Sequence, residues 1–269
     1  MNQVKYYVWT VFAAISMFGG LVCQAADVEL LESTIVDNNA LNFTATKPPT
    51  TFNRNINGRT YQRFPMATFK GYQYATYYDE DRYVCLARRK LPDGAWDALR
   101  FTDYTISSSD SHNSTTVGIC HKDGTIHLAF DHHADALNYR VSEVGVASSP
   151  EEVVWDANLF SAVTDRLGSV GRVTGLTYPS FFNASNGNLM LYYRSGGSGN
   201  GDGMIQEYNG TTHDWTTGLG RFISRNGTYS GNISNNSTSR CPYINGISYG
   251  GSRLHASWGW RESSAGSSN

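Results

Sequence analysis

Charge is scarce in this chain. Only 16% of its 269 residues are Asp, Glu, Lys or Arg, and they nearly cancel to a net charge of −2. No block of lysines or arginines stands out, which argues against a nucleic-acid partner, since phosphate binding needs a concentrated basic face. Cysteine is also sparse. There are four, none in a Cys-x-x-Cys spacing, so a zinc finger is not supported. Cys85, Cys120 and Cys241 lie beyond the N-terminal segment, and an odd count allows at most one bridge. They are expected as buried, small apolar residues. No long stretch with a 3.6-residue apolar period occurs outside the N-terminus, which argues against a helical architecture.

The N-terminus carries the one sustained apolar run. Lys5 precedes a mostly apolar stretch from Tyr6 to Val22, followed by Cys23-Gln24-Ala25. A charged start, an apolar middle and a small-x-small end predict a signal peptide over residues 1–25, with export to the periplasm or the medium. The run is short for a membrane span, and Gly19-Gly20 interrupts it, so no membrane anchor is expected.

What is abundant is turn and aromatic chemistry, with 27 Gly, 17 Tyr and 12 Phe. Trp-Asp-Ala-Leu-Arg-Phe (96–101), Trp-Asp-Ala-Asn-Leu-Phe (155–160) and Trp-Thr-Thr-Gly-Leu-Gly-Arg-Phe (215–222) repeat with tryptophans 59 and 60 residues apart. Strand-like segments at 74–79, 126–131, 189–194 and 254–259 run in step with them. A fixed period of this size in a β-rich chain predicts an all-β propeller over 26–269, whose blades must stack to bury a continuous core. A β-sandwich is the competing all-β reading. Dipeptides such as Asp123-Gly124, Asn186-Gly187, Asn209-Gly210 and Asn245-Gly246 predict type I′ hairpin turns. The length provides for about four blades. The chain stops in residues 262–269 directly after a strand, which predicts a partial propeller lacking C-terminal blades and able to self-associate through an unclosed edge.

Four groups of residues could carry chemistry. His112 with Asn113, and His132 with His133, lie about one hairpin apart and are placed to act as acid, base or anion ligand. Of the adjacent pair, one histidine is expected to pack and the other to face solvent. Tyr178 precedes Pro179, which predicts an extended residue with its ring projecting into a pocket. Arg194 ends a strand and leads into a Gly/Ser loop (195–203) that leaves room for a polymer. Its guanidinium can hold a carboxylate or sulfate in bidentate fashion. That loop is not a phosphate-binding P-loop, because no Gly-Lys-Ser/Thr follows it. Arg240-Cys241-Pro242-Tyr243 sets another tyrosine beside a proline, after a Ser/Asn-rich loop with sequons at Asn226, Asn232 and Asn236. No metal motif is present, although His121, His127 and His255 could join a structural divalent-ion site with Cys120 or Asp131.

Taken together, Asp110-Ser111-His112-Asn113, Asp123-Gly124 through Phe130-Asp131-His132-His133, and Tyr139-Arg140-Val141-Ser142 resemble the neuraminidase-repeat-like (BNR-type) propellers that include secreted ulvan lyases. Thr177-Tyr178-Pro179-Ser180, Tyr193-Arg194 with its loop, and Cys241-Pro242-Tyr243 continue the resemblance in the same order, over roughly residues 35–263. It implies a seven-bladed propeller and β-elimination on an anionic polysaccharide containing uronic acid. In that reading His112, His132, Tyr178 and Arg194 are catalytic. Arg194 neutralises the carboxylate, while Tyr178 and the histidines share the roles of base and acid. Asn113 and Tyr243 orient the sugar, and no cofactor is required for the chemistry. The alternatives are a sialidase-type hydrolase, for which no clean repeat box is found, and a non-catalytic glycan-binding propeller or inactive truncated remnant.

Overall fold

Two-sided burial decides the architecture. The computed structural model describes residues 29–30, 32–41, 56–59, 62–229 and 237–261, so the predicted signal peptide, the tail 262–269 and the sequons Asn232 and Asn236 lie outside the described residues. Every element below belongs to the compact unit Val36–Asn269. The first sheet is a meander of β1 (Met66–Phe69), β2 (Tyr72–Tyr78), β3 (Tyr83–Lys90) and β4 (Asp97–Thr105), paired antiparallel in chain order. The second holds β5 (Thr115–Ile119), β6 (Ile126–Phe130) and, beyond the three-residue β7 (His133–Asp135), β8 (Tyr139–Val141). After the small pair β9 (Arg166–Leu167) and β10 (Gly171–Arg172) comes the third meander. It is built from β11 (Leu176–Asn183), β12 (Leu189–Gly196), β13 (Gly201–Asn209) and β14 (Asp214–Ile223), with β7 added along β11. The fourth runs β15 (Gly227–Tyr229), β16 (Ser237–Gly250) and β17 (Arg253–Arg261).

Side-chain alternation feeds each strand into two cores at once. In β12, Leu189, Leu191 and Tyr193 join the core shared with the second sheet, while Met190 and Tyr192 join the one shared with the fourth. In β6, Ile126, Leu128 and Phe130 face Tyr74, Leu86 and Phe101 of the first sheet, and Ala129 faces the third. Each such apolar side chain contributes roughly 1.5–3 kcal/mol on burial. The first long strands β1, β5, β11 and β16 all line one cavity of about 310 Å³, between Met66, Val117, Phe181 and Ile247. Sheets stacked face to face, with their first strands around a common cavity, form the all-β propeller arrangement that the repeat predicts. The strand series at 74–79, 126–131, 189–194 and 254–259 falls on β2, β6, β12 and β17, the strand after β1, β5, β11 and β16 in each sheet.

Two local expectations are corrected. Gly124 and Gly187 are left-handed at φ +70° and +85°, but Asp123 and Asn186 are not, so these turns are not type I′. The reversal is longer, with the Cys120 N–H reaching the Thr125 carbonyl at 3.0 Å. Asn245-Gly246 is not a hairpin at all. It sits inside β16 at a register shift between Ile244 and Gly246. The three cysteines are free and buried, as expected. Burial pushes the Cys85 thiol up to about 12 and the Cys120 thiol up to about 11.

A close contact between sheets is at Gly118 in β5. A Cβ placed there would lie 2.3 Å from the Phe181 Cβ of β11, an atom fixed by its own backbone. Gly118→Ala is therefore expected to destabilise the fold by about 1–3 kcal/mol through overpacking. Denaturant unfolding of the variant beside the wild type checks this, and an unchanged midpoint would refute the packing argument.

Candidate active site

The loop between β4 and β5 carries Asp110, His112 and Asn113, while His132 and His133 follow β6. Asp131 and Ala134, which flank the histidine pair, are both left-handed, at φ 61° and 66°. Such backbone is uncommon for residues other than glycine and turns the chain sharply on either side of the pair. His132 is driven inward. It is fully buried, its Nε2 accepts the Asn138 N–H at 2.8 Å, and burial pulls it down to about 3, so it is neutral. His133 opens β7 and pairs with Thr177 of β11. Its ring stacks on His112 with centroids 4.4 Å apart. The structure thus puts His133, rather than the expected His132, beside His112.

Asp110 holds both rings. Its Oδ1 accepts from His112 Nδ1 at 2.5 Å and its Oδ2 from His133 Nδ1 at 2.6 Å, with the His112 backbone N–H on Oδ1 at 3.0 Å. Burial alone would raise this carboxyl. The bonds from His112 and His133 outweigh burial and hold it well below the usual carboxylate range. The hydrogen bond to Asp110 in turn raises His133, against the opposing effect of burial. In its neutral form the His133 ring, with Nδ1 donating to Asp110, has Nε2 as its acceptor.

Tyr178 reaches this pair from β11. It is left-handed at φ 55°, not extended as its place before Pro179 predicts. The cause is a bulge, across which pairing with β12 shifts from Thr177↔Arg194 to Ser180↔Tyr192. A non-glycine residue in this conformation carries strain of about 1–3 kcal/mol, a feature that concentrates at functional sites. The ring centroid lies 5.9 Å from that of His112, and the hydroxyl is 2.8 Å from the hydroxyl of Tyr243 on β16.

Arg194, on β12, is 1% exposed, with its guanidinium 5.5 Å from the Tyr178 ring and 4.4 Å from the Tyr243 ring. Its Nη2 donates to the Pro242 carbonyl at 2.5 Å, its Nη1 donates to the Ser198 carbonyl, and its Nε is buried without a partner. The Gly/Ser loop was expected to stay open over Arg194. Instead it turns a carbonyl onto the guanidinium. Glycine is needed where that loop rejoins β13, since a Cβ at Gly201 would lie 2.4 Å from the Ser195 carbonyl oxygen and 2.7 Å from Arg194 Cγ.

Asn113 donates from Nδ2 to Asp131 at 2.5 Å and is buried. With Tyr104, Asp110, Asp131, His133 and Asn138 it lines a cleft of about 540 Å³. The histidines proposed for a structural ion do not gather. His121 stacks on Phe69 at 4.8 Å, and His127 is locked between Thr125 (2.7 Å) and Tyr139 (2.6 Å). Among the described residues, Asp110, His112 and His133 alone bring three potential metal donors within 4.8 Å of one another. Two contributors carry no motif of their own. Asp110 was visible only as the start of the His112 segment. Arg63, before β1, reaches the β16 carbonyls of Asn245 (2.9 Å) and Ile244 beside Tyr178 and Arg194.

The link between Asp110 and His133 has a definite sign. With Asp110 present, His133 titrates above its ordinary 6.5, and its charged form is favoured below that folded value and lost as pH rises through it. In Asp110→Asn the partner charge is gone and burial remains, so His133 is expected to titrate below its wild-type value. NMR titration of the imidazole protons measures this directly. An unshifted His133 would disprove the role given to Asp110.

The sequence pattern of the BNR repeat-containing family matches residues 72–269. The long-isoform ulvan lyase of Pseudoalteromonas sp. (strain PLSV) is 29% identical over 201 residues, covering 61% of this chain and 20% of its own length. The short-isoform ulvan lyase of Alteromonas sp. (strain LOR) is 27% identical over 188 residues, covering 55% of this chain and 36% of its own. The chain therefore spans about a fifth to just over a third of the length of these curated relatives. Among solved structures, polysaccharide lyase Uly1 superposes with a TM-score of 0.66 at 21% identity, over 84% of this chain and 57% of that one, a likeness in fold. The repeated sheets, the site residues and a family pattern running over most of the sequence lead to one assignment: the chain belongs to the BNR repeat-containing family.

Proposed function

We propose that this protein is a polysaccharide lyase that cleaves a uronic-acid-containing anionic glycan of the ulvan type by β-elimination. One observation carries the reading. A single carboxylate, Asp110, orients two stacked imidazoles beside Tyr178, and behind them lies a buried Arg194 with no acidic partner among the described residues. Elimination needs those parts. A cation must neutralise the uronate carboxylate so that the C5 proton becomes acidic, and Arg194 supplies it. A base removes that proton, the electron pair forms the C4–C5 double bond, the C4–O4 bond breaks, and an acid protonates O4. His133, whose protonation Asp110 favours, suits the acid. His112 or Tyr178 suits the base. Asn113 and Tyr243 border the site and orient the sugar. The names of the curated relatives point to the same substrate class.

Export belongs to this proposal, in keeping with a polymeric substrate, and rests on the residue 1–25 pattern. Among the described residues no helix is long and apolar enough to cross a membrane. A glycan-binding propeller without turnover is the second reading. It is favoured by the 1% exposure of Arg194 and by the Ser198 and Pro242 carbonyls that occupy its donors.

The test is ultraviolet absorbance of the unsaturated uronate product when purified protein meets ulvan. His133→Ala is expected to lower the rate by about 10²–10⁴, and Arg194→Ala by about 10²–10³. His132→Ala is expected to lose stability, through its buried bond to Asn138, while the folded fraction keeps its turnover. Equal kinetic losses at His132 and His133 would refute the assignment. Folded wild-type protein that binds ulvan and releases no unsaturated product would establish the binding reading instead.

A further inference from the structure

Behind the Tyr178–Tyr243 hydroxyl pair lies a small pocket lined by Arg63, Tyr178, Tyr192, Arg194, Tyr243 and Ile244. It holds two guanidinium groups and no carboxylate. Neither arginine forms an ion pair among the described residues. Each is held instead by neutral backbone, Arg63 by the carbonyls of Ile244 and Asn245, Arg194 by those of Ser198 and Pro242. Three of those four carbonyls belong to β16, so one strand anchors both cations. A guanidinium carries five N–H donors, and two bonds leave capacity unused. Arg194 Nε is buried and unpaired, a donor that can still take an acceptor. Burial lowers the Arg63 pKa, and the nearby Arg194 charge lowers it further, while the surrounding tyrosines act in the opposite sense. Arg194 is buried and Arg63 half-buried, and two like charges set side by side in reduced contact with water are unfavourable unless an anion compensates them.

We infer that Arg63 and Arg194 together form an oxyanion pocket, closed by the Tyr178–Tyr243 hydroxyl contact, and that Arg63 is a second binding residue for the acidic group of the glycan. The inference rests on the lyase reading for the identity of the glycan, but not for the pocket itself. The hydroxyls, 2.8 Å apart, must separate to admit an oxyanion, which the two planar guanidinium groups can then grip with charge-assisted hydrogen bonds. Entry of the anion removes the repulsion between the arginines and satisfies Arg194 Nε in one step.

The test follows the Arg194 Nε–H resonance by NMR while sodium glucuronate or sodium sulfate is titrated into the purified protein. Glucuronate is expected to shift it saturably. Arg63→Met should weaken that binding at least about tenfold, the loss expected for charge-assisted hydrogen bonds. Arg63→Lys, which keeps the charge but cannot span both β16 carbonyls, should fall between, and it decides the matter if Arg63→Met does not fold. Wild-type affinity in either variant would reduce Arg63 to a structural clamp and overturn the inference. So would the absence of any shift with both anions. A shift with sulfate alone would uphold the two-arginine pocket while removing the carboxylate role proposed for Arg194. Saturable glucuronate binding without any unsaturated product from ulvan would uphold the pocket and sink the lyase.

Discussion

Everything in this fold depends on sheets that are apolar on both faces. A strand such as β12 has no solvent side, because alternate residues enter different cores, and neither core exists without the next sheet. Stability is therefore a property of neighbours, and one close contact, such as that between Gly118 and Phe181, sets the distance between two whole sheets. The same constraint explains where chemistry resides. Interior faces are committed to packing, so polar groups with work to do collect where strands end and loops cross from one sheet to another.

The residues of the candidate site obey that division. Asp110 and His112 come from the connection between the first and second sheets, His133 leaves the second, Tyr178 and Arg194 belong to the third and Tyr243 to the fourth. Apart from Asp110 and His112, two positions apart, these residues are distant in sequence. They meet because stacking brings their strand ends together, and the left-handed residues Asp131, Ala134 and Tyr178 bend the chain where they meet. Interior polar groups outside the site are tied off differently. His127 is kept neutral by burial and satisfied by Thr125 and Tyr139, a core histidine with no call on a ligand.

The architecture was legible because it is periodic. Tryptophans near a sixty-residue spacing and strands in step with them mark the sheets directly, and Trp215 and Tyr193 then appear in the core as such a pattern requires. The constellation of His112, Tyr178, Arg194 and Tyr243 was also legible, through short motifs. Whether His132 or His133 faces the site was not, since the choice hangs on two positive-φ residues that no motif announces. Arg63 was invisible for a different reason. Its partners, Ile244 and Asn245, lie 181 and 182 positions away, and nothing in its own segment distinguishes it. The turns show a third kind of gap, because Asp-Gly and Asn-Gly fix where φ is positive without fixing how many residues the loop contains.

β7 leads somewhere less obvious. Its three residues are covalently part of the second sheet's chain, between β6 and β8, yet they hydrogen-bond to β11 of the third. The Ala134 N–H donates to Thr177 Oγ1 at 2.8 Å, and the Thr177 hydroxyl passes the contact on to the Gly196 carbonyl at 2.6 Å. His133 is therefore a hinge pin between two plates. The stack of His133 on His112 thus joins a residue tied to the third sheet to one carried by the connection between the first and second, so a single pair of rings spans three sheets.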